Sequence, residues 1–594
     1  MFQTFTATTN PEQGPPRLAA LREAMDHAGF DAFIVPRADA HQGEYVPPSD
    51  ERLAWLTGFT GSAGFAAITQ DIAGVFIDGR YRLQVRAQVA EAFTPVHWPE
   101  TKLGPWLLEH MDDGAIVGFD PWLHSSEEIV TLRKAVGAAL ELRATSNLVD
   151  EVWNDRPAPP NAPARRQEIE FAGEKSGDKR VRMAAILKEA GQSAAVLTLP
   201  DSICWLLNIR GRDIPRNPVV LAFAILQADA RVQLFAEPSK FEALGPDPNI
   251  DIAPMTDFAA ALTKLEGPVR VDRKTAPIAV SQILESACID IAWGDDPCIL
   301  PKACKNDAEI AGAREAHLRD AAAMVEFLAW FDREAPKGGL TEIDAATALE
   351  GFRAGTNTLQ DISFETISGA GPNGAIVHYR VTEETNRAIK EGELYLVDSG
   401  GQYLDGTTDI TRTLVVGTPT DEQIECFTRV LQGMIAISTA RFPRSVAGRD
   451  IDALARASLW RAGLDYDHGT GHGVGSFLSV HEGPQRISRI ADVPFKEGMI
   501  LSNEPGYYRE GAFGIRIENL IVVQKAARLG DDRDHLDFET LTFVPIDHRL
   551  IATDMLAPWE RDWINSYHAK VRDKVSGRVK GEALAWLEEA TKPI

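Results

Sequence analysis

Apolar residues return every three or four positions between Leu18 and His27, then run unbroken from Ala32 to Val35 until Pro36. The first pattern predicts an amphipathic helix and the second a strand. An aromatic stretch, Trp55-Leu56-Thr57-Gly58-Phe59-Thr60-Gly61, precedes a second predicted strand, Gly74 to Ile77, closed by Asp78-Gly79. The same succession returns later. Arg182 to Glu189 predicts a helix, Ala190-Gly191 stands where Ala28-Gly29 ended the first, and Ala194 to Leu199 predicts a strand stopped by Pro200. Trp205-Leu206-Leu207-Asn208-Ile209-Arg210-Gly211 then takes the place of the earlier aromatic stretch. A weak repeat of about 150 residues predicts two related α/β domains. Asp155 to Pro163, with four prolines, is the expected linker.

Beyond Pro301 the pattern changes. Asp307 to Trp330 predicts a long helix without internal proline, and strand-like segments then alternate with glycine-rich turns to about Ile546. A last helix is expected over Pro558 to Val575, with Trp559 and Trp563 packed inside the subunit. These shifts divide the chain into residues 1–154, 155–305 and 306–594, the last with a helical tail.

Composition narrows the function classes. Length of 594 residues suits several domains, and 44% hydrophobic with 25% charged residues is ordinary for a globular chain. Acidic side chains outnumber basic ones, 86 to 61, giving a net charge of -25 that would repel a phosphate backbone. Nucleic acid is therefore not an expected partner. The five cysteines, Cys204, Cys288, Cys298, Cys304 and Cys426, form no CxxC pair and suit a reducing compartment. MFQTFTATTNPEQGPP lacks the build of a signal peptide, and no run of about 18 apolar residues occurs. A cytoplasmic location away from membranes is expected.

The third region holds the unusually placed polar residues. Leu394 to Val397 predicts a strand ending in Asp398, and a second strand over Thr408 to Leu414 carries Asp409 after the turn Asp405-Gly406. An antiparallel pair would bring both carboxylates to one face, where a cation would relieve their repulsion. Taken alone, two aspartates also fit ordinary turn positions. In Asp467-His468-Gly469-Thr470-Gly471-His472-Gly473-Val474-Gly475, the glycines argue against a helix and for close backbone approach around each histidine. His481 follows nine positions after His472. Glu504 closes the apolar stretch before Pro505-Gly506, and alternation in Gly514 to Leu520 puts Arg516 and Glu518 on one face. An exposed Arg-Glu pair would explain that last strand, but not the whole set. Two Asp, one His and two Glu suit two divalent cations of the harder kind, Mn²⁺ foremost, with Co²⁺ or Zn²⁺ able to substitute. A water shared by such ions is acidified, which is the chemistry of amide hydrolysis without a protein nucleophile.

These motifs resemble the creatinase/prolidase/methionine aminopeptidase family, and within it the three-domain aminopeptidase P group. The ligand order Asp398, Asp409, His472, Glu504, Glu518 matches the family's, and Asp39-Ala40-His41-Gln42 with Gly58-Phe59-Thr60-Gly61-Ser62-Ala63-Gly64 extends the likeness to the first domain. The resemblance implies two creatinase-type α/β domains followed by a pita-bread catalytic domain. It implies release of the N-terminal residue from peptides with proline second, a metal-bridged hydroxide as nucleophile, and a homodimer. By the same resemblance Asp398 binds one metal, His472 and Glu504 the other, and Asp409 and Glu518 bridge both. Glu504 would also shuttle the proton, His378 stabilise the tetrahedral intermediate, His481 and His468 line the substrate pocket, and Arg516 orient the ligand carboxylates. Two other readings stay in view: a prolidase restricted to dipeptides, against which the doubled N-terminal domains count, and a non-enzymatic relative, in which ligands would be missing.

Overall fold

Proline and glycine set the limits of the first elements in the computed structural model, which describes residues 1–530 and 532–594. Helix α1 (Gly14–Ala28) has proline in its first turn and stops at Gly29, whose φ of 71 lets its N–H turn back to Asp26 and Met25 carbonyls. It buries Leu18, Leu21 and Met25, the face the periodicity predicts. Strand β1 (Ala32–Pro36) follows, then β2 (Phe65–Thr69), β3 (Ala73–Ile77), β4 (Thr94–His97), β5 (Ile116–Phe119) and β6 (Glu141–Ala144). They form one sheet in the order β4-β3-β2-β1-β5-β6.

The second pattern builds the same thing again. Helix α2 (Ser176–Glu189) leads to β7 (Ala194–Leu197), β8 (Phe223–Gln227), β9 (Val232–Phe235), β10 (Ile250–Ala253), β11 (Val269–Val271) and β12 (Ile291–Trp293). Their order is β10-β9-β8-β7-β11-β12. Each step has the sense of its counterpart: β1 is antiparallel to β2 and parallel to β5, as β7 is to β8 and β11. The repeated pattern thus encodes a duplicated topology. Both sheets lie in one unit, Thr8–Ile169 with Glu174–Lys302. The aromatic stretches, to which periodicity assigned no element, are partly helical, over Arg52–Thr57 and Pro200–Leu207. Both are buried almost all round, so they lack the polar face that marks an amphipathic helix. The strand ends at Leu197, two residues short of the expected Leu199, and Pro200 opens the helix rather than stopping the strand.

The other unit comprises Met1–Ala7, Glu170–Gly173 and Ala303–Ile594. Its long helix α3 (Asp307–Glu334) starts at Asn306, whose side chain accepts from Ala308 and Glu309 N–H while Glu309 reaches back, a capping box. After α4 (Glu342–Ala354) come β13 (Ile367–Ala370), β14 (Leu394–Ser399) and β15 (Ile410–Val415), a three-stranded sheet centred on β14. Helices α5 (Asp421–Ser438) and α6 (Gly448–Trp460) follow. Next are β16 (Phe442–Pro443, between those helices), β17 (Gly471–Gly473), β18 (Glu482–Ile487), β19 (Ile500–Asn503), the hairpin β20 (Gly506–Arg509) and β21 (Phe513–Arg516), β22 (Asn519–Lys525) and β23 (His535–Thr540). A second sheet runs β16-β23-β22-β19-β17-β18. Helix α7 (Pro558–Val575) has the predicted bounds, and α8 (Gly581–Ala590) ends the fold. Met324, Leu328 and Phe331 of α3 share a core with Tyr395, Val397, Phe427, Leu431, Ile515 and Ile564.

Two expectations need correction. Arg516 and Glu518 do not share one strand, because the chain leaves β21 at Arg516 and re-enters pairing at Asn519. Trp563 stacks on Tyr567 with ring centroids 5.2 Å apart, but Trp559 is 51% exposed rather than packed inside. Among the described residues no helix is long and apolar enough to cross a membrane.

Candidate active site and metal centre

Strand register brings the first two carboxylates together. In the antiparallel pair β14–β15, Asp398 lies opposite Thr411, so Asp409 two residues earlier sits diagonally on the same face. Both aspartates are buried. The glycine-dense loop supplies His472 by close approach: a Cβ on Gly471 would lie 2.0 Å from Ser502 O, and one on Gly473 2.4 Å from Glu482 O. Between them the pairing of β17 with β18 jumps from His472↔Arg486 to Gly473↔Glu482. That bulge aims His472 inward and draws His481 beside it, ring centroids 4.2 Å apart.

His472 Nε2 then lies 3.5 Å from Asp409 Oδ2 and 3.5 Å from Glu504 Oε1. Its Nδ1 faces Gly473 O at 2.9 Å, so a proton there leaves Nε2 as the ligand atom. One ligand atom each from Asp409, His472 and Glu518 fall within 4.8 Å of one another. Glu504 follows β19 and is held from two sides: its N–H donates to Thr470 O at 2.8 Å, and its Oε1 accepts from Ser502 Oγ at 3.0 Å. The same Ser502 Oγ accepts the His472 N–H at 2.9 Å. Glu518 is pinned to β15, its N–H on Thr411 O at 3.1 Å and its Oε2 accepting from Thr411 Oγ1 at 2.8 Å.

Arg516 ties this group to the histidines. It donates to Asp398 Oδ2 at 2.6 Å, to Thr411 Oγ1 at 3.2 Å and to Tyr508 OH at 2.6 Å, and Tyr508 OH meets His468 Nε2 at 2.9 Å. His378 is half-buried on the segment joining β13 to β14, just after the turn Gly371–Ala375. That turn packs on β21, where a Cβ on Gly514 would lie 1.7 Å from Gly374 O. The structure therefore gathers the five candidate ligands, sets His481 against His472, and joins His468 to Arg516 through Tyr508. Thr411, Ser502 and Tyr508 are participants that motif spacing did not single out. Tyr508 stands four residues after Glu504, and Thr411 shares the strand face of Asp409, which was the available signal.

Crowding of buried carboxylates shapes the electrostatics. Burial, with Asp398 and Glu504 nearby, pushes Asp409 up to about 6, and burial beside Asp409, Glu504 and Asp398 pushes Glu518 well above the carboxylate range. Burial alone would lower His472, but Asp409 and Glu504 hold its imidazolium up to about 9. Without cations this cluster keeps protons in their place. Among the described residues, Asp398 Oδ1, Asp409 Oδ1 and Glu518 Oε1 are buried without a hydrogen-bond partner. An orphaned buried acceptor is costly unless something binds it, so these oxygens fit cation ligation, and four carboxylates with one imidazole fit two divalent ions.

Comparison with known proteins agrees. The profile of metallopeptidase family M24 matches residues 311–525, and that of the C-terminal region of peptidase M24 matches 534–594. Creatinase/prolidase N-terminal domains match residues 17–152 and again 155–309. Aminopeptidase P2 of Arabidopsis thaliana is 39% identical over 97% of this chain and 88% of its own length. A probable Xaa-Pro aminopeptidase P of Laccaria bicolor is 40% identical over 97% and 93%. The chain belongs to the aminopeptidase P family of M24 metallopeptidases. The aminopeptidase P fold is borne out by a crystal structure of Caenorhabditis elegans X-prolyl aminopeptidase, described as a cytosolic enzyme with a di-nuclear active site. It superposes with a TM-score of 0.93 at 33% identity, covering 98% of this chain and 99% of that one. The Xaa-Pro dipeptidase of Bacillus anthracis shares the fold at a TM-score of 0.51, covering only 63% of this chain. Two creatinase-type α/β folds before a pita-bread catalytic fold, and the enzyme class of Xaa-Pro aminopeptidase, thus stand as expected.

Proposed function

We propose that this chain removes the N-terminal residue from peptides with proline at the second position, using two divalent cations, Mn²⁺ foremost. Asp398 would hold one ion, His472 and Glu504 the other, with Asp409 and Glu518 between both. When bound, the pair would neutralise the carboxylates, acidify a shared water to a bridging hydroxide and polarise the scissile carbonyl. The chain's own part lies in holding protons and substrate. Glu504, fixed by Ser502 and Thr470, would take a proton from the attacking water and deliver it to the proline nitrogen. His378 would donate to the carbonyl oxygen as it gains charge. His481 and His468 would line the pocket, and Arg516 would keep Asp398 aimed at its ion. A proline nitrogen offers no N–H, so a site that works on the carbonyl and the leaving nitrogen needs no donor from that bond.

The observations that support this reading are the clustering of Asp409, His472 and Glu518, Glu504 at 3.5 Å from the same imidazole, Asp398 tied in through Arg516, and three orphaned carboxylate oxygens among them. The proposal also takes in domain limits at 1–154, 155–305 and 306–594, a cytoplasmic location, and a homodimer without nucleic-acid or membrane partners. It is tested on Arg-Pro-Pro and on an Xaa-Pro dipeptide, with metal-free protein reloaded separately with Mn²⁺, Co²⁺ or Zn²⁺. Cleavage of the tripeptide after reloading is expected, with essentially none by Glu504→Ala. Dipeptide-only cleavage would favour a prolidase, and full activity in Glu504→Ala would remove the assigned role.

A further inference from the structure

His378 rides on a segment, Ile376 to Arg387, that has no helix or strand of its own. Neighbouring elements therefore help to fix its path, and two of them grip it on either side. One grip is Glu342, at the start of α4. Its carboxylate accepts from Ala370 N–H at 2.7 Å, Tyr379 OH at 3.0 Å, Arg387 N–H at 3.3 Å and the Asn373 amide. The other grip comes from the far end of the sequence.

Gln3 is only 3% exposed, and its side-chain amide pairs with the main chain of Thr366 in both directions. Thr366 N–H donates to Gln3 Oε1 at 2.9 Å, and Gln3 Nε2 donates to Thr366 O at 3.3 Å. The Gln3 N–H is itself fixed on Glu350 Oε2 at 3.1 Å. Three successive carbonyls then engage the segment just past His378. Thr4 O and Thr6 O accept from the two terminal nitrogens of Arg380 at 3.0 and 3.1 Å, while Arg380 Nε pairs with Glu365. Phe5 O accepts the Glu383 N–H at 2.8 Å. The Phe5 ring packs against the small cluster of Ile367, Tyr379, Val381 and Leu396.

We infer that Gln3 to Thr6 form a strap that positions His378, making these residues and Arg380 positioning elements of the reaction. The contacts fall on both sides of the histidine, at Thr366 before β13 and at residues 380 and 383 after it. Loosening them removes one of the two grips on the segment, and an angstrom of misplacement can cost about a hundredfold in rate. The inference rests on the proposed role of His378, and the test separates the two.

The metal-loaded enzyme is compared as wild type, Q3A/F5A, R380K, H378A and Q3A/F5A/H378A, measuring kcat, KM and metal content. R380K keeps a charge for Glu365 but cannot bridge Thr4 O and Thr6 O, so it serves if the double variant folds poorly. A kcat loss of roughly tenfold or more is expected in Q3A/F5A and in R380K, with KM and metal content nearly unchanged. Faster hydrogen exchange over residues 376–387 should accompany it. In the H378A background the strap substitutions should cost nothing further. Full kcat in Q3A/F5A and R380K beside a crippled H378A would overturn the strap. Losses that add in the triple variant would also overturn it, since the strap would then act elsewhere. Full kcat in H378A would instead remove the role of His378 on which the inference stands.

Discussion

Thr411 carries no charge, yet its hydroxyl stands between two groups that do. It donates to Glu518 Oε2 at 2.8 Å and accepts from Arg516 Nε at 3.2 Å, while Arg516 reaches on to Asp398. Thr411→Val keeps the branched shape and deletes only the hydroxyl, leaving Glu518 less constrained. Outer partners of this kind are worth about 10–100-fold in metal affinity, so Thr411→Val should bind Mn²⁺ that much more weakly while remaining folded. Titration of metal-free protein by calorimetry, with circular dichroism for the fold, measures this; unchanged affinity would show that Glu518 is held by its main chain alone. The five candidate ligands were legible in the sequence because each is a chelating side chain at a strand end or turn. Thr411 and Ser502 were not, because hydroxyl residues are commonplace in strands and their role here depends on which strand lies beside them. Pairing partners across a sheet are not written in local periodicity.

Elements raise a different question, namely what holds α7 against the strands that carry the site. Arg412 is 1% exposed and donates to Thr411 O, Glu518 O, Val544 O, Pro545 O, Asn519 Oδ1 and Tyr567 OH, between 2.6 and 3.0 Å. It thus ties β15, the start of β22 and α7 through one side chain. Arg412→Met leaves several buried carbonyls short of a donor, and a loss on the order of 3 kcal/mol or more is expected. Urea denaturation would measure it, and a change below about 1 kcal/mol would contradict the clamp. Next to Tyr567 on α7, His568 is fully buried, and its Nε2 accepts the Ile546 N–H at 3.1 Å. Burial, helped by His548, Arg412 and Arg572, depresses its pKa to about 3. The unfolded chain therefore binds a proton below about 6.5 that the folded chain refuses, so His568 draws stability down as pH falls from there toward 3. His568→Gln keeps an acceptor that does not titrate. Between pH 7.5 and 5.5 its stability should fall by about 1 kcal/mol less than wild type; parallel curves would refute the assignment. The bounds of α7 were readable, since Pro558 opens it and its polar face is plain. The cost of its seat was not, because Arg412 reads in sequence as one more charge on a strand.

For the molecule as a whole, the duplicated sheets and the ligand set lie in different units. All five candidate ligands fall within Ala303–Ile594, whereas both six-stranded creatinase-type sheets fall within Thr8–Lys302, apart from a four-residue excursion. Each unit has its own hydrophobic core: Phe33, Leu56 and Ile68 pack in one, and Phe331, Tyr395 and Phe427 in the other. A cation that binds only the native ligand set stabilises what contains that set, by about 2.7 kcal/mol at a hundredfold excess over Kd. The duplication was visible as a repeated succession of helix, strand and aromatic stretch, but the division of the chain into one unit with both sheets and another with the site was not, since no local pattern says which cores belong together. We expect Mn²⁺ to slow hydrogen exchange in peptides spanning β14–β15, β17–β19 and β21–β22. Exchange in the sheets β1–β6 and β7–β12 should stay as in the metal-free protein. The comparison should be made under mild urea, where exchange reports unfolding of whole units rather than fraying of ends. Protection rising equally in all these sheets would mean that the chain unfolds as one body, and that metal affinity is felt by residues far outside the set that binds it. Protection confined to the ligand strands would instead identify Ala303–Ile594 as the part of the enzyme whose stability depends on its ions, and therefore the part lost first when a chelator removes them.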